Sequence, residues 1–168
     1  RSGDRFLPAD DGRLMFAVRV QADDFDAAAE QRRLTVGRTD IGAVVTFTGL
    51  CRDEQGTLAA LELEHYPGMA EAEMGRVLDE ARARWPLDGA TLVHRFGRIA
   101  PGGNIVLVVT ASRHRTAAFA AAEFLMDYLK TRAPFWKKEH RSDGTTGGWV
   151  EAKDADDRAL EKWSGLPR

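Results

Sequence analysis

Apolar and polar positions break the chain into short blocks with two different periods. Leu14-Met15-Phe16-Ala17-Val18-Arg19-Val20 reads as a first strand. Residues 41–48 are almost wholly apolar or β-branched, which predicts a strand covered on both faces. Leu61-Glu62-Leu63-Glu64 alternates with period two, as a half-exposed strand does. Residues 90–96 and 104–110 form two more apolar runs around Pro101-Gly102-Gly103, a turn that predicts a hairpin or a near neighbour of one. Phe135-Trp136-Lys137-Lys138-Glu139 is extended, and a Gly/Ser/Thr-rich turn at 142–148 leads to Trp149-Val150-Glu151.

Helical spacing fills the gaps between these strands. Met74, Val77, Leu78, Ala81 and Trp85 share one helix face, and Pro86 ends that helix. A second long helix over 116–131 is rich in Ala and is expected to turn Phe119, Leu125 and Leu129 inward; Pro134 stops it. Asp23 or Asp24 is placed to cap a short helix over 25–34, and residues 154–163 make a closing helix. Residues 1–13 lack periodicity and are expected to be a flexible leader to a single domain over 14–168. Helices mixed with largely antiparallel strands indicate an α+β fold in one core.

Composition narrows the function classes. The 168 residues suit one domain, and 43% hydrophobic with 30% charged residues is the balance of a globular protein. A net charge of -2 argues against non-specific nucleic-acid binding. Cys51 is the single cysteine, so neither an internal disulfide framework nor a multi-Cys zinc site is available. No apolar run approaches the roughly 20 residues of a membrane span, and no signal peptide precedes the first strand. The expected location is a reducing cytoplasm.

Three places hold candidate chemistry. Arg113-His114-Arg115 stands at the start of the second long helix, where cations are locally unfavourable unless an anion sits among them; the alternative is a solvated turn paired with surface carboxylates. Lys130, Lys137 and Lys138 are three of only five lysines and flank Phe135 and Trp136, an apolar wall able to desolvate an ammonium. The alternative there is a helix-capping Lys130 and a solvent-facing Lys137. Arg52 follows the strand end Phe47-Thr48-Gly49-Leu50-Cys51 and is placed to clamp an acidic group. Cys51 has no evident partner base, so packing is its default role. His65 and His94 sit in or beside strands and read as structural, while His140 lies in a polar turn. No histidine pair has metal-ligand spacing, and there is no P-loop, no GxGxxG and no GxSxG; no metal and no cofactor are expected.

Taken together, several stretches resemble the large, catalytic subunit of molybdopterin synthase. They are Gly42-Ala43-Val44-Val45-Thr46-Phe47-Thr48-Gly49 with Arg52, Leu63-Glu64-His65-Tyr66-Pro67-Gly68-Met69, His94-Arg95-Phe96-Gly97 and Ser112-Arg113-His114-Arg115. The longest is Met126-Asp127-Tyr128-Leu129-Lys130-Thr131-Arg132-Ala133-Pro134-Phe135-Trp136-Lys137-Lys138-Glu139, and Trp149-Val150-Glu151-Ala152 closes the match. The resemblance implies a sulfurtransferase of molybdenum-cofactor biosynthesis that converts cyclic pyranopterin monophosphate to molybdopterin. The sulfur comes from the C-terminal Gly-Gly thiocarboxylate of a small ubiquitin-like carrier subunit, in a homodimer flanked by two carriers. The implied fold is an α/β hammerhead type with an additional antiparallel β subdomain.

Carried onto this sequence, the resemblance makes Lys130 the acid–base catalyst and gives Lys137 both proton transfer and pterin or phosphate binding. It implies substrate contacts from His114 and Arg115, reaching a neighbouring subunit's pocket. Leu50, Cys51 and Arg52 would form a loop edge, and Lys138 with Glu139 a wall. The loop from Arg52 to Gly56 is short for the family, and Lys153 stands where an arginine is expected. Two rival functions use the same cations: a non-catalytic module that docks a ubiquitin-like tail, and a phosphate-ester enzyme, which would need clustered carboxylates for Mg²⁺. RNA binding through arginine-rich loops is a weaker third, against the acidic net charge.

Overall fold

The computed structural model describes residues 5–8, 14–150 and 154–165. Along the chain run β1 (Arg5–Pro8), β2 (Leu14–Gln21), α1 (Ala27–Thr35), β3 (Ala43–Leu50), β4 (Leu58–His65) and α2 (Met69–Arg84). They are followed by β5 (Gly89–Arg95), β6 (Gly97–Ile99), β7 (Asn104–Ser112), α3 (Arg115–Thr131), β8 (Phe135–Arg141) and α4 (Asp154–Ser164). A five-stranded sheet has the order β1-β2-β5-β7-β3, and a three-stranded sheet the order β6-β4-β8. The second sheet is wholly antiparallel and corresponds to the additional β subdomain that the resemblance implies.

The central strands β5 and β7 are buried on both faces, so alternate residues feed two different cores. Leu92, Val106 and Val108 join Val18 and Val20 against α2 and α3, with Met74, Val77, Phe124 and Leu125 filling the interface. Val93, Leu107 and Val109 point the other way and pack with Phe25 and Leu34 around α1. A third, small cluster of Cys51, Leu63 and Ile99 ties the three-stranded sheet to the first. Gly97, at φ 91°, lets the chain leave β5 and enter β6, moving from one sheet to the other within two residues.

Several expectations are corrected by this arrangement. β3 is an edge strand paired only with β7, so Thr46, Phe47 and Leu50 are exposed rather than covered. Its apolar run reflects one packed face plus surface hydrophobics. The cap of α1 is Asp26, whose carboxylate accepts the Ala29 N–H at 3.0 Å; Asp24 instead accepts from Phe25 N–H and Asn104 Nδ2. Phe119 is 62% exposed, because the buried stripe of α3 runs through Ala118, Ala121, Ala122, Leu125 and Leu129. β2 and β5 pair in parallel, a long-range crossover that no local pattern announces. Within the expected leader, residues 5–8 form β1 by adding to the open edge of β2, a pairing of backbone groups too short to leave a periodicity.

Candidate functional site

The two sheets meet where β3 and β5 end, and there the C-terminal half of α3 faces β8. Pro134 ends α3 and turns the chain directly into β8, so Lys130 and Lys137 are brought from two different elements to one opening. An inner cavity of about 220 Å³ is walled by Phe47, Leu61, Leu63, Ile105, Leu129 and Phe135, among others. His94, Lys130 and Lys137 are the only polar side chains among its described lining residues. A wider cavity of about 720 Å³ shares Lys130, Lys137, Leu50 and Leu61 with it and extends along residues 51–57.

The wide cavity carries the charge. Arg52, Lys130, Lys137 and Arg141 line it together with Asp53, Glu54 and Glu139. Arg52 is ion-paired to Glu54, and the pair faces solvent. Such an exposed pair contributes about 1 kcal/mol or less, so an entering anion exchanges with Glu54 at little cost. Asp53 accepts from the N–H groups of Gln55 and Thr57 at 3.3 and 3.2 Å, which closes the short loop on itself. Cys51 latches this loop to the 101–103 turn: its N–H donates to the Gly103 carbonyl at 2.8 Å, and its carbonyl accepts from Gly102 at 2.7 Å. Burial raises the Cys51 thiol above its ordinary range, so the sulfur lines the cavity as a neutral group.

β8 sorts its residues by parity. Lys137, Glu139 and Arg141 face the wide cavity, while Lys138 and His140 take the other face. The Lys138 ammonium sits 4.5 Å from the centre of the Trp149 ring, and His140 pairs with Glu62 at 2.5 Å. Lys138 is therefore absent from the wall to which Glu139 belongs. His114 and Arg115 are also elsewhere. They are exposed at the N-terminal end of α3, and a helix of this length separates His114 from Lys130 by about 24 Å. One chain thus brings together Leu50, Cys51, Arg52, Lys130, Lys137 and Glu139, and leaves His114, Arg115 and Lys138 apart. Lys153, Glu151 and Ala152 lie outside the described residues.

Comparison with known proteins decides what this cleft belongs to. The model of the family described as "MoaE protein" matches residues 20–132. The chain belongs to the MoaE family. A molybdopterin synthase catalytic subunit from Mesorhizobium japonicum is 70% identical over 146 residues, covering 87% of this chain and 92% of that protein. The MoaE protein of Burkholderia ambifaria has a solved structure with a TM-score of 0.76 at 47% identity, covering 89% of this chain and 98% of that one. Molybdopterin synthase from Staphylococcus aureus superposes with a TM-score of 0.69 at 32% identity, covering 77% and 95%. As a MoaE protein the chain is an enzyme of molybdenum-cofactor biosynthesis, a catalytic subunit of molybdopterin synthase.

Two residues of the MoaE cleft escape a reading by sequence. Arg141 is marked only by its even spacing from Lys137, a signal that needs the strand's extent to be known. His94 reads as structural, yet it lines the inner cavity. Its ring stacks on Phe135 at 3.6 Å between centroids and 14° between planes, and its Nδ1 lies 2.8 Å from the Arg95 carbonyl. Burial pushes its pKa down to about 4, with the His65 ring adding a small like-charge effect. The available signal is a histidine next to the apolar pair Leu92-Val93 of a buried strand.

Proposed function

We propose that the cleft performs sulfur transfer from the carboxy-terminal thiocarboxylate of a small ubiquitin-like carrier to a cyclic pyranopterin monophosphate, with Lys130 and Lys137 moving the protons. The observation that carries this reading is that both lysines line both cavities. The inner cavity is the smaller and is walled mainly by hydrocarbon, suited to a Gly-Gly tail that has no side chains. The wide cavity has the cations that a phosphorylated pterin needs. The two lysines stand where the two substrates meet.

In each transfer the thiocarboxylate sulfur forms a bond to a side-chain carbon of the pterin as a carbon–oxygen bond at that carbon breaks, its oxygen leaving with a proton from a lysine; water then cleaves the acyl–sulfur bond, leaving the carrier's terminus as a carboxylate. Two carriers are consumed for one dithiolene. The nucleophile arrives on the partner, so the buried, protonated Cys51 thiol is not required to attack. Lys130 donates or takes the proton beside the tail, and Lys137 holds the pterin or its phosphate and assists. Arg52 gives up Glu54 to clamp the anion. His114 and Arg115, about 24 Å from Lys130 in the same chain, enter the cleft of a second copy, in a homodimer flanked by two carriers. No helix among the described residues is long and apolar enough to cross a membrane, and the location that suits a thiocarboxylate is a reducing cytoplasm.

The test is mass spectrometry of the pterin product after mixing the protein with thiocarboxylated carrier and cyclic precursor. The expected product carries two added sulfurs, with turnover down about 10²–10⁴-fold in Lys130→Ala and Lys137→Ala. Full turnover in both variants overturns the assignment of the lysines. Turnover abolished by a chelator would favour the phosphate-ester alternative.

A further inference from the structure

His94 lines the inner cavity, and its ring has a single acceptor nitrogen. A carbonyl oxygen cannot donate, so the 2.8 Å contact between Nδ1 and the Arg95 carbonyl fixes the proton on Nδ1. Nε2 is left with its lone pair. The ring is held by its stack on Phe135, and Phe135 in turn contacts the His65 ring at 5.9 Å. Among the described lining residues, the two other polar side chains are ammonium groups, which only donate. The remaining side chains are hydrocarbon except for the weak acceptor sulfur of Met126.

That asymmetry matters for an extended peptide entering the cavity. The thiocarboxylate end is met by Lys130 and Lys137. The peptide N–H groups behind it are donors that need partners when buried, and among the lining side chains His94 alone offers a nitrogen acceptor. We propose that His94 Nε2 accepts a backbone N–H of the carrier's terminal Gly-Gly segment and so fixes how deep the tail enters. His94 is then a binding residue specific to the carrier, with no contact to the pterin. This inference rests on the inner cavity being the seat of the carrier's tail.

The variants are His94→Phe, which keeps the stack on Phe135 and removes the acceptor, and His94→Gln, whose amide oxygen restores an acceptor near the Nε2 position. Binding of unmodified carrier to each is measured by calorimetry, alongside KM for thiocarboxylated carrier and for the cyclic pterin. His94→Phe is expected to raise Kd and KM for the carrier by about tenfold with pterin KM unchanged, and His94→Gln to recover most of the loss. A carrier lacking its terminal Gly-Gly is expected to bind wild type and His94→Phe equally. A merely structural role would weaken both carriers alike. Equal carrier affinity in wild type and His94→Phe overturns the inference, as does an effect that persists with the truncated carrier. If His94→Phe does not fold, wild-type affinity for both carriers in His94→Ala decides against it in the same way. Wild-type protein that makes no sulfurated pterin would instead count against the sulfur-transfer reading itself.

Discussion

Trp163 on α4 donates its indole N–H to the Asp127 carboxylate on α3 at 2.8 Å. The same indole packs edge-on against Trp85 and Phe124, and Asp127 also holds Lys162 at 2.9 Å. Asp127 lies three residues before Lys130, so this contact braces the part of α3 that carries the lysine. Trp163→Ala is expected to cost about 3–5 kcal/mol through the vacated volume. Trp163→Phe, which keeps most of the packing, should cost about 1–2 kcal/mol. Denaturant midpoints for the two variants check the order and the gap.

Gly42 offers a second stability test. A Cβ built there would lie 2.2 Å from the Arg113 carbonyl oxygen, and the Gly42 N–H donates to the Ser112 carbonyl at 3.0 Å. Gly42→Ala forces the β3 entry away from the 112–113 turn and is expected to cost about 1–3 kcal/mol. The melting temperature should fall by about 2–10 °C. Gly148→Ala, with open space around it, is the control and should stay within about 0.5 kcal/mol of wild type.

Acid stability isolates His94. An unfolded histidine binds its proton near pH 6.5, whereas folded His94 does so only near 4. Between those values the unfolded chain holds more protons, so this group lowers stability as pH falls and changes nothing further below about 4. The loss attributable to it is about 3 kcal/mol. His94→Phe lacks that loss, while every other titrating group is common to both proteins. Unfolding free energies at pH 7 and pH 4 should therefore show wild type falling by more than the variant. Equal slopes would mean that the imidazole is not held neutral by its surroundings.

The distance between the two ends of α3 predicts complementation. A His114→Ala/Arg115→Ala chain and a Lys130→Ala chain should each be inactive as homodimers. On the proposed reading, a mixed dimer has one cleft in which the lysine comes from one chain and the histidine and arginine from the other. Co-expression is therefore expected to restore sulfurated pterin to a substantial fraction of wild type. No recovery from a verified mixed dimer would place all of the chemistry within one chain.

Much of this architecture is legible in the chain, and the failures have definite causes. Pro86 and Pro134 mark helix ends because proline cannot continue a helix, and both α2 and α3 stop just before them. The apolar runs around the 101–103 turn become β5 and β7, which pair antiparallel, though β6 interrupts them on the way. The parallel pairing of β2 with β5 and the edge position of β3 depend on contacts far apart in sequence. Phe119 lies off the buried face of α3 because that face is built largely of alanines, whose small side chains leave only a weak stripe in the sequence. Lys130 and Lys137 are visible as rare residues in an unusual segment. Lys138 is indistinguishable from Lys137 until the strand's facing is known, and the separation of His114 and Arg115 from the cleft follows only from the length of α3.

The ladder between β4 and β8 sets Leu63 opposite Lys137 and Glu62 opposite Lys138. Because a strand shows its side chains alternately, sliding β8 by a single position would hand Lys138 to the cleft and turn Lys137 toward solvent. The hydrocarbon of Leu61 and Leu63, gathered beneath the cleft, opposes such a slip. The small sheet thus acts as an index plate: its alignment chooses which of two adjacent, chemically identical amines lines the cleft.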